Sequence, residues 1–192
     1  APGTYTVLVT APNGCVLNSS VTLTGPTAIN TSSSVSNISC NGLTDGSISL
    51  VINGGTPDYT INAAGYSQIL VGGVSSFTTP SLLPAGTYPY TITDSNNCVY
   101  TNSITLTSPS QISTTEIINN VSCNGGNDGN VSLIISGGTP IYSENWGVNN
   151  SASLSAGNFN YTITDNNGCI LTDSVNITEP QIISISSTYT NV

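Results

Sequence analysis

Apolar and polar residues alternate in short runs along this chain, and no stretch carries the 3.6-residue period of an amphipathic helix. Ile48, Leu50 and Ile52 alternate with Ser49 and Val51, and Val131, Leu133 and Ile135 repeat the pattern. Tyr88, Tyr90 and Ile92 share one face of a further strand, opposite Pro89, Thr91 and Thr93. Phe159, Tyr161 and Ile163 form its second copy, and Tyr5, Val7 and Val9 a third. The last strand places Ile104 and Leu106, or Val175 and Ile177, on the face of the cysteine before it. The fourth residue after that cysteine is polar in each copy (Ser19, Asn102, Asp173), which predicts a bulge or an exposed end.

Turn signals separate these runs. Asp45-Gly46 and Asp128-Gly129 precede one strand, and Gly54-Gly55 and Gly137-Gly138 end it. Asp94-Ser95-Asn96-Asn97 and Asp165-Asn166-Asn167-Gly168 join the last two strands as hairpin loops. The pattern predicts an all-β fold of antiparallel, Ig-like Greek-key sandwiches with about seven strands each, arranged end to end. Such folds often place a tyrosine near the start of the penultimate strand. Tyr5, Tyr88 and Phe159 occupy that position, and Phe159, without a hydroxyl, serves there only as packing. Trp146, the only tryptophan, lies six residues after Pro140 on the expected third strand, which makes it a core residue with Tyr88 and Phe159. The corresponding position in the other copy is Ala63, so Tyr66, Ile69, Leu70 and Phe77 are candidates to fill that core.

The strands and turns belong to one cassette that occurs twice in full and once in part. Cys40 to Pro57 and Cys123 to Pro140 are both 17 positions; Gly3 to Cys15, Gly86 to Cys98 and Gly157 to Cys169 are each 12. Fixed spacings of this kind mean a tandem array of one small module. The expected division is the last two strands of a truncated repeat over 1–26, complete repeats over 27–109 and 110–180, and the first strand of another over 181–192. The two complete repeats differ by an insertion within 60–85, and the whole reads as a piece of a longer protein.

Charge narrows the function. The chain has no Lys, Arg or His and nine acidic residues, a formal charge of −9. Nothing is available to neutralise phosphates, so neither nucleic acid nor an anionic membrane is an expected partner, and no membrane-inserting segment is read. Hydrolytic triads, Schiff-base chemistry and phosphate clamps lack their residues, so no enzyme activity is expected. Asp45, Asp128, Asp94 and Asp165 are weak calcium candidates beside the plainer reading that Asp favours these turns; no other cofactor is implied. Tyr66, Phe77 and Tyr100 fit the core pattern least well and offer a possible polysaccharide surface, the first two inside the insertion.

Five cysteines without histidine and without a C-x-x-C spacing read as disulfides. Bridges inside each module, Cys40–Cys98 and Cys123–Cys169, are the simplest pairing. In a Greek-key sandwich, however, the turn before the second strand and the hairpin before the last lie at opposite ends. A seven-residue strand separates those ends by roughly 23 Å, against a limit of about 7 Å for bridged Cα atoms. Modules set end to end favour a staple between repeats, Cys40–Cys169, which leaves Cys15, Cys98 and Cys123 to partners elsewhere. Both schemes stay open, because the strand count decides between them.

The segments SCNGGNDGNVSLIISGGTP and SAGNFNYTITDNNGCILTDSVNITEP resemble the SprB repeat, a module of very large gliding adhesins on the surface of Bacteroidota. The resemblance covers nearly the whole chain. It implies export by the type IX secretion system and a filament outside the outer membrane. The implied partners are neighbouring repeats, the gliding and secretion machinery reached through the parent protein, and surface polysaccharide or substratum. It implies no binding residues. Asp173-Ser174-Val175 also resembles the short O-glycosylation signal of these bacteria, which would place a sugar on Ser174. A stalk segment of a cell-surface adhesin is therefore the leading expectation. The alternatives are a glycan- or surface-binding module acting through the 60–85 insertion, and a passive repeat of another type IX cargo.

Overall fold

A computed structural model describes residues 1–190. The chain divides into two compact units. Unit 1 comprises Ala1–Ser36 and Gly46–Leu106; unit 2 comprises Asn37–Asp45 and the chain from Thr107 onward. The units therefore do not follow the cassette borders, because the loop over 37–45 lies in the first repeat by sequence and in unit 2 by contact. All the regular elements among the described residues are strands, and every pair is antiparallel.

Unit 1 begins with a hairpin of β1 (Gly3–Thr10) and β2 (Val16–Leu23), whose side chains are all exposed. Its sandwich follows as seven strands. β3 (Asn30–Ser36), β4 (Ser47–Asn53) and β7 (Ser76–Thr78) form one sheet. β5 (Tyr59–Ala63), β6 (Tyr66–Leu70), β8 (Gly86–Asp94) and β9 (Val99–Leu106) form the other, in the order β6-β5-β8-β9. That is the strand arrangement of an Ig-like fold. The period-2 pattern sets which faces are covered: Ile48, Leu50 and Ile52 of β4, Tyr59, Ile61 and Ala63 of β5, and Tyr90 and Ile92 of β8 are all buried.

Unit 2 has five strands. β10 (Ser113–Asn119) pairs with β11 (Asn130–Ser136), and β13 (Gly157–Thr164) lies between β12 (Ser143–Asn145) and β14 (Ile170–Ile177). The expected seven strands are thus present only in the longer repeat. The shorter one lacks counterparts of β6 and β7, because the missing residues fall between the third strand and the penultimate one. The Gly129–Leu154 bridge has its counterpart in Gly46–Leu83 of the longer repeat, and where β7 would lie a hydrogen bond runs from Val131 N–H to the Ser151 carbonyl (2.9 Å).

The two cores solve one problem differently. In unit 2 the Trp146 ring leans on Tyr161, centroids 4.9 Å apart, in a cluster with Ile112, Val121, Val131, Leu154, Ile163, Val175 and Ile177. In unit 1 Ala63 stands in place of the tryptophan, and the insertion supplies bulk through Leu70 and Phe77, both buried. Phe77 lies opposite Leu50 in the ladder. Tyr66 is only half-buried and Ile69 is exposed, so two of the four candidate residues fill the space.

Tyr88 and Phe159 are half-buried, while the fully buried aromatic of each strand lies two residues on, at Tyr90 and Tyr161. The Tyr88 hydroxyl donates to the Pro84 carbonyl (2.7 Å) and Tyr5 to that of Ala1 (2.6 Å); Phe159 only packs. No bulge occurs at Ser19, Asn102 or Asp173, because the ladders run unbroken through all three, and each is exposed. Residues 181–190 form no strand and no pairing in this structure, while 191–192, also part of the expected first strand, lie outside the described residues.

Removing the Trp146 ring opens a large cavity against Tyr161. Trp146→Ala is expected to destabilise unit 2 by about 3–5 kcal/mol, read as a lower urea midpoint by circular dichroism. Trp146→Phe should recover more than half of the loss.

Candidate functional site

A turn and a hairpin in unit 2 meet around one carboxylate. Asp165 stands just after β13 and is buried. One carboxylate oxygen accepts from the N–H groups of Asn167 and Cys169, both at 2.9 Å, and the other from Thr139 N–H at 2.7 Å. The first two bonds shape the β13–β14 hairpin, and the third ties it to the Gly137-Gly138-Thr139-Pro140 turn. Asp94 repeats the arrangement in unit 1 with Asn96, Cys98 and Thr56 at 2.9, 2.8 and 2.9 Å. The glycine pair is required by this contact. A Cβ on Gly138 (φ +59°) would stand 2.6 Å from the Asp165 carboxylate, besides the strain of that backbone conformation. In the first hairpin Ala11 replaces the aspartate, and the Asn13 side chain accepts the Cys15 N–H instead (3.2 Å).

The electrostatics follow from these donors. The Thr56 N–H, chief among three backbone donors, holds the Asp94 carboxyl below its ordinary value of 3.8. Burial pushes Asp165 upward, but the N–H groups of Thr139, Cys169, Asn167 and Gly168 together hold it below that value. Asp45 and Asp128 are lowered by the hydroxyls of Ser39 and Ser122, with the backbone N–H of the same serines adding to the effect. Burial and the neighbouring Glu116 push the Tyr161 hydroxyl up to about 12.

All four calcium candidates therefore face N–H and O–H donors, whereas a calcium ion needs converging oxygen acceptors. Among the described residues no three acidic or cysteine side chains gather in a metal-holding group. Of the aromatics considered for a polysaccharide surface, Phe77 is buried, Tyr66 is half-buried, and Tyr100 is half-buried beside Tyr90 with ring centroids 6.3 Å apart. Ser174 is exposed on β14, its N–H bonded to the Asp173 side chain (2.8 Å).

Cys40 and Cys169 form a disulfide, Cα atoms 5.6 Å apart and 129 residues apart in sequence. Both lie in unit 2. The loop carrying Cys40 is also held there by Ile38 N–H to the Thr107 carbonyl (3.0 Å) and by the Asn41 amide to the Pro109 carbonyl (3.0 Å). The Asn167 amide of the hairpin donates to the Ser39 carbonyl (3.0 Å). Closing so long a span stabilises the folded chain by roughly 5 kcal/mol on the chain-entropy account. Cys15, Cys98 and Cys123 are free and exposed.

A Cys123–Cys169 bridge is ruled out by the length of β14. Cys169 stands just before its first residue, while the Cys123 loop is bound by Asn124 to Glu179 and Pro180 beyond its last. Eight residues of strand put roughly 26 Å between those ends. With Cys40 bonded to Cys169, the Cys40–Cys98 bridge is absent too. Sequence reasoning placed Asp94 and Asp165 at turns but missed their buried role. The usable signal was an aspartate at the same hairpin position in both full repeats, with a Gly-Gly-Thr-Pro turn in each.

These features define an all-β protein of Ig-like modules, built on aspartate-locked turns and carrying a cystine. The sequence profile of the SprB repeat matches residues 32–63 and 115–146, so these two segments are similar to SprB repeats. Each match starts in the first strand of its sandwich and ends on the residue pair that distinguishes the cores, Ala63 and Trp146. The chain matches no curated protein.

The lowered carboxyls make stability acid-sensitive in a defined direction. Folded-state values below 3.8 mean that their contribution is complete above the unfolded value and fades as pH falls through the folded one. Thermal melts from pH 6 to pH 2 should show the melting temperature falling mainly below about pH 4. Asp94→Asn with Asp165→Asn should melt lower at pH 6 and lose part of that slope.

Proposed function

We propose that this chain is a stalk segment of a large cell-surface adhesin, one that supplies length and resistance to pulling in a filament used for gliding and attachment. The observation that carries the proposal is the pair of matches to the SprB repeat, in segments whose repeated positions are turns, core residues and cysteines. The cystine fits an extracellular location, where disulfides persist. No Lys, Arg or His is present for acid–base, Schiff-base or phosphate chemistry, which supports a non-catalytic role. On this reading export follows the type IX route, and the partners are neighbouring repeats and, through the parent protein, the gliding machinery.

Two measurements test the stalk. Pulled from its ends in a single-molecule instrument, the oxidised chain should withhold the 129-residue span closed by Cys40–Cys169. Adding a reductant should then release about 450 Å of further contour length; equal lengths with and without reductant would count against a load-limiting staple. On an array of bacterial and plant polysaccharides the chain should bind nothing. Binding that disappears in Tyr66→Ala, with the circular dichroism spectrum unchanged, would instead favour a ligand-binding module acting through the 60–85 insertion.

A further inference from the structure

Cys40 belongs to the loop before the second strand of one repeat, and Cys169 to the last hairpin of the next. The chain carries a further free cysteine in the loop position and two in the hairpin position, Cys98 and Cys15. Cys123 is the loop-type half and Cys98 the hairpin-type half, and both are exposed.

The two loops are built alike. Asp45 accepts from Ser39 N–H (3.1 Å) and from the Ser39 hydroxyl, as Asp128 does from Ser122 (N–H at 3.0 Å). Leu43 N–H reaches the Cys40 carbonyl at 3.1 Å, and Gly126 N–H that of Cys123 at 3.0 Å. The two hairpins are also alike. Asp94 N–H meets the Cys98 carbonyl and Asp165 N–H that of Cys169, both at 3.0 Å. Asn96 and Asn167 each place their amide on a threonine hydroxyl, Thr56 (2.9 Å) and Thr139 (3.1 Å). In the bonded pair the Asn167 amide also donates to the Ser39 carbonyl. The free halves keep this geometry without the bond, so the bond does not create it.

We infer that Cys123 and Cys98 are complementary half-sites, and that Cys123 of one copy of this chain takes Cys98 of a second copy in a head-to-tail cystine equivalent to Cys40–Cys169. The Asn96 amide of the second copy would donate to the Ser122 carbonyl of the first. Cys15 is excluded as a partner although it also sits in a last hairpin. Ala11 replaces the capping aspartate there, and Asn13, at the position of Asn96, turns its carbonyl oxygen inward to the Cys15 N–H. The chemistry needs a small disulfide oxidant such as oxidised glutathione. The Cys123 thiolate attacks it, forms a mixed disulfide and expels one glutathione thiolate. The Cys98 thiolate of the second copy then attacks the Cys123 sulfur and expels the other, so two thiols are oxidised and one disulfide is reduced. The inference does not depend on the adhesin reading, since it concerns only how repeats pair.

Single-thiol variants test it, each retaining Cys40–Cys169: C15S/C98S with Cys123 free, C15S/C123S with Cys98 free, and C98S/C123S with Cys15 free. In each equimolar pair one variant is uniformly labelled with heavy nitrogen; the pairs are equilibrated in a glutathione redox buffer, and the three dimers, now distinct in mass, are counted by intact mass without reduction. The expected result is a Cys123–Cys98 heterodimer at least about tenfold above either homodimer, with no such excess for Cys123 with Cys15. A statistical two-to-one-to-one mixture, dominant homodimers, equal use of Cys15 or no dimer at all would each overturn the inference. Should a variant fail to fold, the unsubstituted chain oxidised in the same buffer supplies the answer: its covalent dimers, digested with Asp-N and Glu-C proteases so that cleavage after Glu116 separates the two cysteines, must yield a 94–116 peptide bridged to a 117–127 peptide, and dimers linked otherwise refute it.

Discussion

A carboxylate in a chain without a single cationic side chain can be satisfied only by neutral donors. That constraint organises the turns of this protein. Asp94 and Asp165 are buried, and burying an unpaired charge is costly unless hydrogen bonds replace water. Backbone N–H groups from two separate turns supply them, so each carboxylate becomes the point where a hairpin and a Gly-Gly-Thr-Pro turn are held together. Where the aspartate is absent, at Ala11, a side-chain amide takes over one of its bonds and the hairpin still closes.

The cystine builds on those locked turns. Cys169 follows the hairpin that Asp165 shapes, and Cys40 lies in the loop that Asp45 clamps through Ser39. A bridge needs its two Cα atoms within a few ångströms, and two loops fixed from within meet that requirement with little ordering left to do. The loop over 37–45 is consequently a member of unit 2, although β3 and β4 on either side of it belong to unit 1.

Between these fixed points the two repeats tolerate different cores. One inserts an aromatic from just beyond the third strand, Trp146 on Tyr161; the other has an alanine at that position and brings Leu70 and Phe77 from added strands. Close packing can be reached by either route as long as the volume is filled. Five strands suffice in one case and seven are used in the other, with the turns, the penultimate strand and the last strand unchanged in kind.

By itself the sequence determined the β class, the inward faces, the turn positions and the repeat. Each of these follows from local periodicity and turn chemistry: Ile48, Leu50 and Ile52 alternate because a strand does, and Gly137-Gly138 marks a backbone that turns. The resemblance to the SprB repeat came from whole strings such as SCNGGNDGNVSLIISGGTP, whereas spacing established only the repeat. The tertiary structure decided what depends on distance between remote segments. It set the strand count of the shorter repeat, which rests on whether enough chain remains to reach the sheet edge. It chose Tyr90 and Tyr161 over Tyr88 and Phe159 as the fully buried aromatics, a matter of depth between the sheets. It also assigned Asp165 to the buried hub and Cys40 to Cys169, since a partner 129 residues away leaves no trace in local pattern.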